Sequence, residues 1–179
     1  DMSLCSLNET DLTGATLDGV TLSGATMVEA NLSKVQAERT SLNGANLDRA
    51  TLVESNLAFA NLERATLTSA NLGWANLNKV NLEKANLAEA NLSGASLDDA
   101  RLNGANMAGA FLFGARVSLK ALSTAKTLAN ATMPDGTKYE DWVRRQSGEY
   151  VPPAAAAPAS PYGAAESPLD YTPTPEEIF

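Results

Sequence analysis

The sequence predicts an all-β solenoid. Three observations carry this: a five-residue period that never slips, a small apolar side chain two places before each large one, and glycine concentrated at one place in the unit. Stepping by five from Leu7 to Val117 gives 23 places, of which 19 are Leu and the others Met27, Ala37, Met107 and Val117. The place two residues earlier is Ala in 16 of the 23 units and Cys, Thr, Val or Ser in the rest. The residue between is mostly Asn, Thr, Ser or Asp, so the unit reads Ala-Asn-Leu-x-x.

A period of five fits neither regular structure. Five residues advance an α-helix by roughly 500°, which moves each Leu ~140° round from the last and builds no apolar face. On a straight strand an odd period sends successive Leu to opposite sides. The Leu share one side only if the chain turns a corner in every unit. Within a unit, Ala and Leu then point inward, Asn points outward, and the last two places make the corner. Eight of the 12 Gly (Gly14, Gly19, Gly24, Gly44, Gly94, Gly104, Gly109, Gly114) stand two places after the central residue. That is where a type II turn requires positive φ. Charged residues such as Glu29, Arg49 and Lys84 hold the same place elsewhere, and there a type I or irregular corner is expected. Val35-Gln36-Ala37-Glu38-Arg39 puts Ala where Leu belongs, predicting a local dent or a neighbour leaning in.

The repeat, residues 1–117, is followed by two further elements. A solenoid must cover its last coil, which exposes strand edges and apolar core. Leu119, Leu122, Ala125 and Leu128 stand at helical spacing, predicting a short capping helix over residues 118–130. Met133-Pro134-Asp135-Gly136-Thr137 has turn chemistry, and residues 139–145 add a helical turn with Trp142 packed on the cap. The cap region is residues 118–146. From residue 147 the composition changes: seven of the eight Pro follow, no Lys or Arg comes after Arg145, and five acids give this stretch −5. An extended Pro/Ala-rich tail over residues 147–179 is expected. Tyr150, Tyr162, Tyr171 and Phe179 punctuate it as docking anchors would, against the alternative of a solvated terminus.

The tandem units, as in Ala70-Asn71-Leu72-Gly73-Trp74-Ala75-Asn76-Leu77, resemble the pentapeptide-repeat family. The resemblance implies a right-handed quadrilateral β-helix with four units to a coil, five to six coils here, and a rod roughly 28 Å long at ~4.8 Å per coil. The Met133 to Thr137 element resembles one found at the ends of cyanobacterial and plastid members. This implies a photosynthetic source, with a thylakoid-associated place, lumenal or peripheral, and the cytoplasm as the alternative.

Composition removes several classes of function. There is no His, hence no imidazole base, no Ser-His or Cys-His pair and no commonest metal ligand. No catalytic residue, metal or cofactor is expected. The single Cys5 has no disulfide partner in the chain and falls in the inward small column, so it reads as a packed thiol. No apolar run approaches the ~20 residues that span a bilayer. The opening Asp1, in place of Met, reads as a processed or trimmed start. A net charge of −8 disfavours nucleic acid as a partner.

The outward places are therefore the working surface. Sorted four units apart, one face carries Trp74, Phe111 and Phe113, and another carries Phe59 among mixed charges. Trp74 and Phe59 stand at corners where polar residues are usual and are candidate protein contacts. Phe111 and Phe113 are candidates also, with support of the cap as their other reading. The expected function is non-enzymatic: a protein-binding scaffold within a larger assembly, using its faces and tail. The alternative, drawn from quinolone-resistance members of the family, is an acidic DNA mimic that binds a type II topoisomerase. Only −4 in the repeat region, 12 acids against 8 bases over residues 6–119, ranks it second.

Overall fold

Four five-residue units return the chain to its starting side. In the computed structural model, which describes residues 1–146, single-residue parallel bridges join positions 20 apart, from Ser6 to Thr26 through to Ser96 to Arg116. Each coil is thus 20 residues with four sides. Leu52, Leu72 and Leu92 fall on one side in successive coils, all of them fully buried. Removing each such side chain from water contributes about 1.5–3 kcal/mol, repeated coil after coil.

A unit with Asn at its middle place satisfies every backbone donor it has, which helps so narrow a rod to be stable. In the unit beginning at Ala70, Ala70 N–H donates to Leu67 O at 3.0 Å and closes the preceding turn. Asn71 donates to Ala50 O at 2.9 Å in one neighbouring coil, while Leu72 and Trp74 donate to Asn91 O and Ser93 O in the other, at 2.7 and 2.9 Å. The remaining donor, Gly73 N–H, is taken by the side-chain Oδ1 of Asn71 at 3.1 Å. Here lies the reason for Asn or Asp at the middle place: a short acceptor there reaches the amide two residues on, whereas in the Thr26, Thr66 and Ser96 units that amide donates to Asn8, Asp48 and Asn78 Oδ1 of the preceding coil, at 3.0, 2.8 and 3.0 Å. Successive Asn amides also ladder along the rod, Asn91 Nδ2 donating to Asn71 Oδ1 at 2.9 Å and Asn76 Nδ2 to Asn56 Oδ1 at 3.0 Å.

The corners differ from the expectation at charged positions. Glu29, Arg49 and Lys84 have φ of 57°, 58° and 58°, the same left-handed region as Gly14 at 67°. Their corners are type II, not type I or irregular. A side chain there costs on the order of 1 kcal/mol, and the fixed coil geometry with its ladder bonds overrides that local preference.

Ala37 leaves no dent in the ladder. Leu17 N–H still donates to Gln36 O, and Ala37 N–H to Asn56 O at 2.8 Å. The flanking inward places, Ala in most units, are here the branched Val35 and Thr40, both fully buried. Their extra atoms offset the lost Leu volume, and the Thr40 hydroxyl donates to Leu17 O at 2.7 Å.

Both ends extend the ladder past the regular period. Met2 already stands in register, its N–H donating to Thr21 O at 2.7 Å. After Val117, the helix expected over residues 118–130 is only α1, Leu119–Leu122, N-capped by the Ser118 hydroxyl. The chain then resumes the coil with one residue gained: Asn106 bridges Thr127 and Phe111 bridges Thr132, 21 apart instead of 20. Leu128, Ala131 and Met133 turn inward and are buried. A turn follows, with Met133 N–H donating to Thr137 O at 2.7 Å and Asp135 Oδ1 accepting from Thr137 N–H at 3.0 Å. It leads into α2, Tyr139–Gln146. Tyr139 and Trp142 pack on the core with their rings stacked 6.4 Å apart.

Candidate functional site

With the inside filled, chemistry is confined to the outward middle place and the two corner places of each unit. Most of the charge there is cancelled along or between coils. Glu29 pairs with Arg49 at 2.8 Å, Glu54 with Lys34 at 3.7 Å, Asp98 with Arg116 at 3.0 Å and Glu83 with Arg101 at 2.5 Å. The Asn103 amide, followed by Arg101 and Lys84, holds the Glu83 carboxyl below the usual carboxylate range. Among the described residues no three of Cys, Asp and Glu gather as a metal cage. Nor among them is any helix long and apolar enough to cross a membrane. Cys5 is half-buried against the core.

The candidate aromatics fall into three settings. Phe59 is 46% exposed, with Arg39 from the preceding coil 5.0 Å from its ring centroid and Lys79 from the following coil at 5.3 Å. The ring thus lies between two cations of its own chain. Phe111 occupies the ladder place, bridged to Asn91 and Thr132, and is buried. It supports the last coil, and its ring lies 6.3 Å from that of Phe113. Trp74 and Phe113 are different: 42% and 37% exposed, they share one face, two coils apart. The indole of Trp74 lies flat over Gly94, while the space above Gly114, one coil further, is open, its nearest neighbour 4.0 Å from where a Cβ would stand. Sequence reasoning found both rings but missed these two glycines. Their signal was an offset of 20 and 40 residues from Trp74. Tyr150, Tyr162, Tyr171 and Phe179 lie outside the described residues.

A family model described as pentapeptide repeats matches residues 5–44, 45–83 and 81–118, in eight copies. The chain belongs to the pentapeptide-repeat family. Among solved structures it is similar to the pentapeptide repeat protein Rfr23 of the cyanobacterium Cyanothece. There the identity is 28% over 61% of this chain and 85% of that one, with a TM-score of 0.52. It is also similar to HetL, a pentapeptide repeat protein involved in heterocyst differentiation regulation in the cyanobacterium Nostoc: 28% identity, 75% and 70% coverage, TM-score 0.45. A third is a pentapeptide repeat protein of the Arabidopsis thaliana thylakoid lumen, at 26% identity, 59% and 67% coverage, TM-score 0.44. No curated protein matches the sequence.

Proposed function

We propose that this pentapeptide-repeat protein is a non-enzymatic, protein-binding scaffold within a larger assembly. The observation that carries the reading is the pair of exposed rings, Trp74 and Phe113, on one face of a rod whose other outward places are mostly polar residues or Gly. Large flat side chains already held by a rigid backbone lose little entropy on binding, and such residues dominate the energetics of protein contacts. The tail, with Tyr150, Tyr162, Tyr171 and Phe179, is a second contact surface in this reading. A photosynthetic assembly is the finer form of the proposal. Its support is the Met133 to Thr137 element and the similarity to a cyanobacterial protein.

The rival, acidic imitation of DNA toward a type II topoisomerase, requires rows of free carboxylates. Six of the twelve repeat-region acids (Glu29, Glu38, Glu54, Glu63, Glu83 and Asp98) are instead paired with Arg or Lys. Affinity capture with the full chain against the W74A/F113A double variant tests the scaffold. A partner retained by the first and lost by the second is expected, and an identical set of captured proteins sinks the assignment of that face. A gyrase supercoiling assay separates the rival: neither inhibition nor protection is expected at micromolar protein.

A further inference from the structure

The coils are not bound to one another equally along the rod. The backbone ladder is the same throughout, so the difference lies in the side chains that join one coil to the next. From residues 41–60 onward, half-buried amides bridge the coils. Asn76 donates to Asn56 at 3.0 Å, Asn81 to Asn61 at 3.1 Å, Asn91 to Asn71 at 2.9 Å and Asn106 to Asn86 at 2.8 Å. Between residues 21–40 and 41–60 the only such bridge is exposed and long, Asn56 Nδ2 to Gln36 Oε1 at 3.5 Å. The other side-chain links across this seam are a hydroxyl contact from Ser23 to Ser41 at 3.1 Å and three exposed pairs. These are Ser23 with Asn43 at 2.6 Å, Glu29 with Arg49 at 2.8 Å and Lys34 with Glu54 at 3.7 Å. Exposed pairs contribute little.

A second observation falls on the same seam. Ser55, in the inward column one coil above Val35, is 1% exposed and its Oγ has no hydrogen-bond partner. That hydroxyl is stripped of water only while the coil of Val35 covers it, so opening there relieves its cost. The coil before the seam is tied more firmly to its other neighbour. Thr40 Oγ1 donates to Leu17 O at 2.7 Å, Val28 N–H to Asn8 Oδ1 at 3.0 Å and Glu38 N–H to Asp18 Oδ1 at 2.7 Å. In a repeat rod each coil touches only its neighbours, so the weakest junction sets where the rod parts. We infer that residues 1–40 open as one cooperative unit at this seam while residues 41–117 stay wound. Opening frees the N–H groups of Ser41, Asn46, Thr51 and Asn56 from Val20, Ala25, Ala30 and Val35 O, each at 2.9 Å. It uncovers a four-sided ladder edge with Leu42, Leu47, Leu52 and Leu57 behind it. The inference goes beyond the scaffold reading and does not need it.

The test is amide hydrogen exchange of the full chain in low guanidinium, read by NMR where exchange follows the opening equilibrium. The ladder amides of Asn31 and Gln36 report the opening unit, and those of Asn76, Asn86 and Asn91 report the rest. The first group is expected to exchange about tenfold faster or more, with a shallower dependence on denaturant, because less surface is exposed. Ser55→Ala removes the unpaired hydroxyl and should slow the first group about fivefold. Ala85→Gly loosens a buried place beyond the seam. It should speed the second group about threefold and leave the first unchanged, because the first opens without that coil. A single exchange isotherm for all these amides, or A85G speeding both groups alike, means the rod opens all-or-none and overturns the inference. So does fast exchange confined to residues 1–20 with Asn31 and Gln36 as protected as Asn76, which puts the junction elsewhere. A first group that S55A fails to slow overturns it as well.

Discussion

The indole of Trp74 rests on the backbone of Gly94 so closely that a Cβ there would stand 2.4 Å from Cε3. Gly94 also has φ of 65°, but so in effect do fifteen non-glycine corners and Asn130. Its backbone angle alone does not explain glycine. Gly14 offers the comparison, at φ 67° with nothing within 4 Å of an added Cβ. Gly14→Ala should cost only the left-handed backbone, about 1 kcal/mol. Gly94→Ala should cost about 1–2 kcal/mol more, because the ring must lift or leave its rotamer. Chemical denaturation of the two variants, and of Gly94→Ala in a Trp74→Ala background, separates the parts. The excess should vanish when the indole is gone, and its persistence would show that the ring is not what Gly94 accommodates.

A second expectation concerns a buried hydroxyl. Ser55 is 1% exposed, and its Oγ has no hydrogen-bond partner. It occupies the small inward column that Ala holds in most coils. Stripping a hydroxyl of water without replacing its bonds costs about 1–3 kcal/mol. Ser55→Ala should therefore stabilise the rod by about 1 kcal/mol, read as a higher denaturation midpoint at unchanged slope. A destabilising result would mean the hydroxyl has found a partner.

How far the sequence discloses this structure depends on whether the deciding contact keeps the period. Leu72 above Leu52, Ala between turns and Gly14 at a corner all recur every five residues, so they are legible. The resumed coil at Thr127, Leu128 and Met133 is not, because the residue gained through α1 shifts the register and leaves a pattern that reads as helical. Glu29 and Arg49 were misread because local propensity speaks against left-handed charged residues, while the coil imposes that angle on every corner. At the candidate site the rings Trp74 and Phe59 stand out as apolar residues at polar places. What they touch (Gly94 for one, Arg39 and Lys79 for the other) lies 20 residues away and emerges only when the coils are stacked.

The middle-place ladder discriminates between Asn and Asp. Asn91 is buried; its Oδ1 accepts from Ser93 N–H at 3.0 Å while its amide donates to Asn71 Oδ1 at 2.9 Å. Asp11 holds the equivalent place in the first coil. There the Thr13 hydroxyl and then the Thr13 amide hold its carboxyl below the usual range, and no ladder acceptor opposes it. Asn91→Asp keeps the first bond but turns a donor into an acceptor facing Asn71 Oδ1. A loss of about 2–3 kcal/mol is expected at neutral pH, measured by urea unfolding. A change below 0.5 kcal/mol, the scale of ordinary surface substitutions, would mean that the amide ladder adds nothing beyond the turn bond.

The docking of α2 should depend on pH through Glu140. Its carboxylate accepts the N–H of Asn130 at 2.7 Å, and Asn130 itself sits at φ 60°. That backbone bond is the chief cause holding the Glu140 carboxyl below its ordinary value, with Lys138 and Arg144 adding to it. A carboxyl whose folded value is lowered binds its proton more weakly folded than unfolded, so it contributes stability above the unfolded value. That contribution is lost as the pH falls through the folded value. Trp142, stacked on Tyr139 in α2, reports the docking by its fluorescence. The wild-type signal should change reversibly as acid is added through and below the carboxylate range, before the solenoid itself unfolds. Glu140→Gln keeps an oxygen for Asn130 but no charge, so its docking should be weaker at neutral pH and flat across that range. Equal acid profiles in the two proteins would take Glu140 out of the account and leave the loss of docking to another carboxylate, with Asp135 beside Arg145 the next to substitute.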